Sequence, residues 1–458
     1  MLFHTWTFVL FFLAVYPGYL ALKGTRFRLH WLLLASYVFY GWWNPLYLLL
    51  ILCSTTVDYL VVLRMARSDR KGRWLSVSVI SNLGLLGFFK YGGFVTDSLN
   101  ALLAWIGLSY AIPAPGVLLP VGISFYVFQS MSYTIDYYRG RIEKEPSFIR
   151  YATFVSFFPQ LVAGPIERAG HLLPQLRQPA KVSGEDVAEG LSLFVVGLFK
   201  KIALADYLAI YVDRVYTAPG QFDSPALLLA TFAFGWQIYF DFSGYTDMAR
   251  GVARLFGVRL MLNFNNPYLA TGLGDFWRRW HISLSTWFKD YLYIPLGGNR
   301  TGTFNTYRNM SLTMLICGLW HGAAWTFVVW GVLHASGRVL TRSLEASTFY
   351  RERVPEFAKR LWVFSFVTFA WIFFRAATFT DACLIVRRIF TAGWSDPAFP
   401  LLALGLICAV WIYQFVYESR FRCVLGTAPV RVGAVVAMIL YMLVFVTAAN
   451  QPFIYFQF

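Results

Sequence analysis

The sequence predicts an all-α protein that crosses a membrane many times. Apolar residues make up 58% of its 458 residues and charged residues only 14%, whereas soluble domains are about 45–50% apolar and about 25% charged. The mean hydropathy is +0.55. Long apolar runs alternate with short basic clusters, and so few polar residues could not cover the surface of a soluble protein. The composition excludes a disordered chain, a coiled coil, a collagen-like fibre and a soluble multidomain enzyme.

The chain has an excess of basic residues, which is typical of a membrane protein with positively charged cytoplasmic loops. There are 39 Lys and Arg residues against 23 Asp and Glu, a net charge of +16. Because the basic residues sit between apolar runs, they are interpreted as the positive charge of cytoplasmic loops that sets the orientation of a membrane protein. No nucleic-acid partner is predicted. The five cysteines are scattered, with no CxxC and no Cys/His metal spacing, so neither a disulfide framework nor a metal site is expected.

The first third predicts helices whose ends are marked by charge. Residues 2–22 form an apolar run that basic residues follow rather than precede, which predicts an uncleaved first helix starting outside. Residues 30–63 predict a hairpin with its tip at Asn44-Pro45. Residues 74–89 lead outward, and residues 113–138 lead back to a basic cluster inside.

The middle of the chain is less regular. Residues 148–179 and 263–274 are short, Pro- or Gly-interrupted stretches, which predict re-entrant or interfacial segments. Spans are predicted at 191–211, 227–242, 310–333, 361–374, 401–416 and 432–448. The total is about 10–12 membrane segments in a single domain, 1–458, with both termini outside and an aromatic tail at 450–458.

The first candidate site is the dense polar and aromatic patch at residues 275–293. It holds His281 together with basic side chains, carboxylates and tryptophans. Aromatic rings beside Arg and Lys are common at a membrane interface, so an interfacial anchor is one interpretation. The other is a cytoplasm-facing site for an anionic cofactor, with Arg300 and Arg308 extending the basic surface.

The second candidate site is His321, within the apolar run 319–325. Ionisable residues inside a bilayer are costly and by default suggest function, and imidazole suits proton abstraction near neutral pH. A neutral, hydrogen-bonded histidine is the alternative. Gly322 is expected to leave room for a substrate beside the ring. The remaining imidazoles are expected to be structural or solvated: His4 and His30 at membrane edges, His171 in a polar loop, and His334 at a helix end. Asp241, Ser243 and Asp247, at the end of a predicted span, would either orient an Arg or His or cap the helix.

At these residues the chain resembles bacterial members of the membrane-bound O-acyltransferase (MBOAT) family that acetylate exported polysaccharides. The stretches that carry the resemblance are 119–126, 163–166, 239–245, 276–287, 319–322 and 453–458. The resemblance implies a ring of helices around a transmembrane tunnel, with His321 as the catalytic histidine and His281 at the second family position.

The function expected from this resemblance is acetyl transfer across the bacterial inner membrane. Cytosolic acetyl-CoA would be the donor, with no permanently bound cofactor, and a polysaccharide would be the acceptor. His321 would act as general base and His281 would position the thioester. The CoA phosphates would be attracted by Arg278, Arg279, Lys289 and Arg300. A periplasmic SGNH-hydrolase-like partner would finish the transfer. Tyr455 would be either a covalent relay or an interfacial anchor. Alternatives are D-alanyl or other acyl transfer to a cell-wall polymer, and a polysaccharide or lipid exporter without chemistry.

Overall fold

A computed structural model describes residues 1–178, 181–445 and 453–454, and the regular secondary structure of these residues is entirely helical. The α-helices are α1 (Trp6–Leu22), α2 (Arg28–Gly41), α3 (Tyr47–Met65), α4 (Lys71–Leu86), α5 (Gly92–Trp105), α6 (Ile123–Tyr138), α7 (Phe148–Ser156), α8 (Phe158–Leu161), α9 (Ala169–Arg177), α10 (Gly184–Leu198), α11 (Asp206–Thr217), α12 (Ser224–Leu255), α13 (Leu273–Arg279), α14 (Ile282–Phe288), α15 (Thr303–His321), α16 (Trp325–Ala346), α17 (Glu356–Arg375), α18 (Phe379–Thr391), α19 (Leu401–Glu418), α20 (Arg422–Leu425) and α21 (Ala428–Phe445). Short π-helical turns lie at Gly87–Tyr91, Phe199–Ala205, Lys289–Tyr293 and Phe349–Arg353, and 3₁₀ turns at Pro219–Gln221 and Pro267–Leu269.

The chain divides into two compact units. Unit 1 comprises Met1–Phe194 and Met248–Met261, and unit 2 comprises Val195–Asp247 and Leu262–Phe458. Helices α10 and α12 each contribute residues to both units. The expectation of a single domain, 1–458, stays a prediction.

The expectation of an all-helical, multi-pass membrane protein is confirmed. Within the described ranges, four helices are long and apolar enough to cross a membrane: α3, α17, α19 and α21. Helix α1 is also apolar but, at 17 residues, somewhat shorter. Helix α21 has no buried residue, so its apolar side chains are available to lipid. The count of about 10–12 membrane segments and the placement of the termini stay predictions.

Unit 1 contains a buried carboxylate whose partners are hydroxyl and amide groups. Asp58 on α3 accepts hydrogen bonds from Ser78 at 2.5 Å, from Asn82 at 2.9 and 3.0 Å, and from Ser130. These donors come from α4 and α6, so the carboxylate ties three helices together. A buried charge is tolerable when its oxygens are hydrogen-bonded in this way.

The structure corrects several predicted spans. The predicted span 310–333 is wrong, because α15 ends at His321 and α16 begins at Trp325. The predicted span 191–211 contains a π-helical turn. The predicted span 227–242 covers only part of the N-terminal portion of α12, which has 32 residues. Only 123–138 of the predicted segment 113–138 is helical. The short helices α7, α8 and α9 and the irregular segment around residues 263–272 agree with the prediction of irregular structure there.

Glycines let α15 and α16 pack closely, and this hairpin positions the candidate site. A Cβ atom on Gly331 of α16 would lie 2.8 Å from the carbonyl oxygen of Met314, and one on Gly318 of α15 would clash with the carbonyl oxygen of Phe327. Small residues at helix interfaces in membranes allow this approach of backbones. The turn between the two helices therefore holds His321 rigidly.

Candidate active site

Both predicted site histidines lie at helix breaks in unit 2. His321 is the last residue of α15, and the backbone is extended at Gly322. His281 separates α13 from α14 and has φ 43° and ψ 55°, in the left-handed region. That region is uncommon for residues other than glycine. Such conformations cluster at functional sites because the surrounding structure must enforce them.

Asn263 supports the turn that carries His281. Its backbone carbonyl accepts the N–H of Ile282 at 2.9 Å, and its side-chain oxygen accepts the N–H of Ser283 at 3.2 Å. Asn263 is completely buried. These two bonds satisfy N–H groups in the first turn of α14, which an α-helix leaves without intrahelical partners. The irregular segment before α13 thus holds the backbone of the turn that carries His281.

The structure brings the two imidazoles together inside an aromatic shell. Their ring centroids are 6.5 Å apart, and His281 and His321 are 0% and 4% exposed. Trp320 contacts both rings, at 6.0 Å from His281 and 5.0 Å from His321. Phe242 packs 4.7 Å from His281, and Phe374 packs 5.3 Å from His321. The two rings therefore lie close together in surroundings that exclude bulk water.

The space beside Gly322 is filled by a side chain, which corrects the expectation that it admits substrate. A Cβ atom at Gly322 would overlap the ring of Phe327. Phe327 packs edge-on against Phe374 at 4.9 Å, and Phe374 in turn packs against His321. Gly322 is therefore needed for the aromatic packing that orients His321.

Replacing Gly322 with alanine is expected to lower activity roughly 10–100-fold, because the displaced Phe327 ring would shift the packing behind His321. The double variant Gly322→Ala/Phe327→Leu should recover much of this loss, since the smaller side chain frees the space. Initial rates of purified variants would measure both effects. Gly84→Ala is a matched control because a Cβ there would meet nothing within 4 Å. Full activity of Gly322→Ala would contradict the packing argument.

Sequence reasoning missed a buried ion cluster in unit 2, formed by Lys201, Asp206 and Asp241. The Nζ atom of Lys201 lies 2.8 Å from Asp206 and 2.9 Å from Asp241. From the sequence, Asp241 was predicted to lie at the end of a span. The structure instead places it in the interior of α12, where it is buried. The available signal was a lysine and two aspartates within apolar runs, where an unpaired charge would be costly.

The basic residues in and beside the patch at residues 275–293 differ in whether they are exposed or paired within the protein. Arg278, Lys289 and Arg300 are exposed, and the Arg278 side chain is 73% exposed although it lies 3.4 Å from Asp275. Arg279 is half-buried and forms ion pairs with Asp275, at 3.0 Å, and with Glu418. Burial alone would disfavour its charge, but these two carboxylates outweigh burial and raise the pKa of Arg279. Arg279 is thus engaged within the protein, whereas the other three are accessible.

Two of the remaining histidines are placed differently from expectation. His334 is not at a helix end but in the interior of α16, completely buried against Trp330 at 4.6 Å and Trp277 at 5.0 Å. His171, expected in a polar loop, lies on the short helix α9. There its Nδ1 is 2.6 Å from the carboxylate of Glu167, which raises the pKa of His171.

The third predicted catalytic residue, Tyr455, lies outside the described residues. Its neighbours in sequence, Phe453 and Ile454, are described and are both 1% exposed. The roles assigned to His321, His281, Tyr455 and the basic residues therefore stay predictions, although the structure places the two histidines together.

Comparison with known proteins identifies relatives along the whole chain. The sequence model of the membrane-bound O-acyltransferase family matches residues 1–380. The probable alginate O-acetylase AlgI of Pseudomonas putida is 39% identical, with 100% of both chains covered. The peptidoglycan O-acetyltransferase of Helicobacter pylori is 37% identical over 84% of this chain and 79% of its own. The teichoic acid D-alanyltransferase of Bacillus subtilis is 28% identical over 54% of this chain and 67% of its own.

Proposed function

Since this chain belongs to the membrane-bound O-acyltransferase family, we propose that it moves an acetyl group from cytosolic acetyl-CoA across the bacterial inner membrane. The acetyl group is destined for an exported or cell-surface polysaccharide. The chain is an O-acyltransferase and a multi-pass membrane protein. In the proposal, the donor site faces the cytoplasm, both termini lie on the periplasmic side, and residues 1–458 act as one domain around a tunnel.

The observation that carries the proposal is the adjacency of two buried imidazoles at two helix breaks. His321 accepts the proton of the acceptor hydroxyl while the hydroxyl oxygen bonds to the acetyl carbon. The carbon–sulfur bond of the thioester then breaks, and the CoA thiolate takes the proton back from the imidazolium. His281, held 6.5 Å away, orients the thioester. General acid–base catalysis of this kind typically contributes about 10²–10⁴-fold.

Acetyl is the favoured acyl group because the O-acetylating relatives match this chain at higher identity and over more of its length than the D-alanyltransferase does. The alginate and peptidoglycan O-acetylating relatives are 39% and 37% identical over at least 84% of this chain. The D-alanyltransferase of Bacillus subtilis is 28% identical over 54%. D-alanyl transfer to a cell-wall polymer is therefore the second candidate. An exporter without chemistry is disfavoured, since the chain belongs to a family of transferases.

Completion of the transfer is proposed to require a second protein. The acceptor on this chain is Tyr455, which passes the acetyl group to a periplasmic SGNH-hydrolase-like partner with its own serine. The polysaccharide is then acetylated outside the membrane, and no cofactor stays bound to this chain.

The proposal is tested with purified protein in lipid vesicles. Labelled acetyl-CoA should lose its acetyl group to protein or water, and His321→Ala should reduce this turnover to background. A D-alanyl carrier thioester supplied in place of acetyl-CoA should give no turnover. Turnover of the D-alanyl thioester with inert acetyl-CoA would replace the proposal by the second candidate.

Donor binding should depend on the accessible basic residues more than on the paired one. Arg278→Gln and Arg300→Gln are each expected to raise the KM for acetyl-CoA roughly two- to fivefold, the range of one exposed charge contact, with little change in kcat. Added salt should raise the wild-type KM in the same direction. Arg279→Gln serves as the comparison, because it breaks ion pairs to Asp275 and Glu418 and should lower thermal stability instead. An unchanged KM in Arg278→Gln and Arg300→Gln would make these residues interfacial anchors.

A further inference from the structure

The segment Phe453–Ile454 is buried against α12, far from it in sequence. The backbone N–H of Ile454 donates a hydrogen bond to Oδ2 of Asp241 at 2.7 Å. The ring of Phe453 lies 4.8 Å from that of Tyr245 and 6.2 Å from that of Phe242. Both residues of the segment are almost completely buried. One carboxylate and two aromatic rings of α12 therefore receive this segment.

The carboxylate that receives the segment belongs to the ion cluster. One ammonium group, on Lys201, faces two carboxylates, on Asp206 and Asp241. A carboxylate in such buried surroundings needs hydrogen-bond donors to be stable. The Ile454 N–H supplies such a donor to Asp241, and bonds to a charged acceptor are the stronger kind.

The backbone around Lys201 is shaped to bring its ammonium group to α12. Lys201 lies on the π-helical turn Phe199–Ala205, and π-helical turns occur frequently at functional sites. A Cβ atom on Gly244 would lie 2.7 Å from the carbonyl oxygen of Gly197, so α12 and the helix that leads into this turn are in close contact. The cluster thus joins two elements with little freedom to move apart.

The received segment lies next to the site of the second imidazole. Phe242, which follows Asp241 in sequence, has its ring 6.2 Å from that of Phe453 and 4.7 Å from that of His281. We infer that Asp241, one member of the ion cluster, is the positioning residue that docks the segment 453–454 and holds it near His281. The inference is independent of whether Tyr455 accepts an acetyl group.

Hydrogen exchange of the Ile454 amide tests the docking directly. In the purified full-length protein the amide should exchange slowly, and Asp241→Ala should accelerate it roughly 10–100-fold, as expected for loss of a bond to a charged acceptor. Asp241→Asn keeps a side-chain oxygen acceptor and should give an intermediate rate. This milder variant also serves if Asp241→Ala fails to fold. Fragment-resolved mass spectrometry measures the amide.

Asp206→Ala is the matched control. Asp206 pairs with the same Lys201, and within the described residues it forms no hydrogen bond with Ile454. Asp206→Ala should leave the exchange rate of Ile454 within a few-fold of wild type. Equal acceleration in Asp206→Ala and Asp241→Ala would show a general loosening and overturn the inference. A wild-type rate in Asp241→Ala, or an Asp241→Asn rate as fast as that of Asp241→Ala, would overturn it as well.

Discussion

His321→Ala should abolish measurable transfer of acetyl groups while the protein still inserts and folds. The expected loss is about 10²–10⁴-fold, the usual contribution of a general base. The ring is held by aromatic neighbours, with Trp320, Trp330 and Phe374 at 5.0–5.3 Å. These neighbours contain no group that can take up a proton near neutral pH. Removing the imidazole therefore removes the base, because the other imidazole of the site, on His281, has its ring centroid 6.5 Å away and is assigned to orienting the thioester.

The experiment must separate loss of chemistry from loss of packing. Truncating a buried ring leaves a cavity and destabilises the folded protein. Thermal stability should therefore be measured together with the initial rates. His321→Gln retains more of the side-chain volume and a polar end but has no basic nitrogen, and it should be as inactive as His321→Ala. The control His30→Ala removes an exposed imidazole and should be fully active. Transfer by His321→Gln at the wild-type rate would remove His321 from the chemistry.

The sequence was sufficient to predict an all-helical membrane protein but not where its helices break. Hydropathy continues almost unchanged through Gly322, so residues 310–333 read as one span. The break depends on Phe327 folding back over Gly322 and on the close contact of Gly318 with Phe327, which are tertiary contacts without a periodic signal. The same limit applies to His281, whose left-handed backbone depends on Asn263.

The ion cluster shows a second limit of sequence reasoning. Lys201 and Asp241 are charged residues in apolar surroundings, but their pairing depends on a π-helical turn that no residue pattern reveals. His321 was found because a rare ionisable group in an apolar run is informative by itself, and His281 because it lies in a dense polar and aromatic patch. Their separation of 6.5 Å and the pairing of Arg279 with Glu418 could come only from the three-dimensional structure.

Tyr455→Phe is expected to eliminate acetylation of the polymer, although it removes only one oxygen atom. A phenol has a pKa of about 10, well below that of a sugar or serine hydroxyl. An acetyl ester on Tyr455 would therefore keep more of the transfer potential of the thioester than an alkyl ester would. Splitting the transfer into two easier steps is the general advantage of a covalent intermediate. The preceding residue, Ile454, is buried and bonded to Asp241.

The proposed relay passes through an acetyl ester on Tyr455, and this intermediate can be observed. In the proposed relay, the Tyr455 hydroxyl gives its proton to His321 as its oxygen bonds to the acetyl carbon, and CoA leaves as the thiol after taking that proton back. The serine of the proposed partner would later displace the tyrosine oxygen, which would take up the serine proton. Without the partner, purified protein incubated with acetyl-CoA should therefore carry an acetyl group on Tyr455, detectable by mass spectrometry of the peptide.

An aromatic anchor would tolerate the loss of the hydroxyl, so Tyr455→Phe separates the two interpretations of the tail. The control Tyr441→Phe removes a phenol hydroxyl from α21, where the ring packs 5.6 Å from that of Phe199, and it should acetylate the polymer normally. In Tyr455→Phe the polymer should lose its acetyl groups, and the acetylated peptide should be absent, while the level of protein in the membrane stays unchanged. If Tyr455→Phe acetylates the polymer as well as Tyr441→Phe does, the tail is an anchor and the acetyl group reaches the partner without residing on Tyr455.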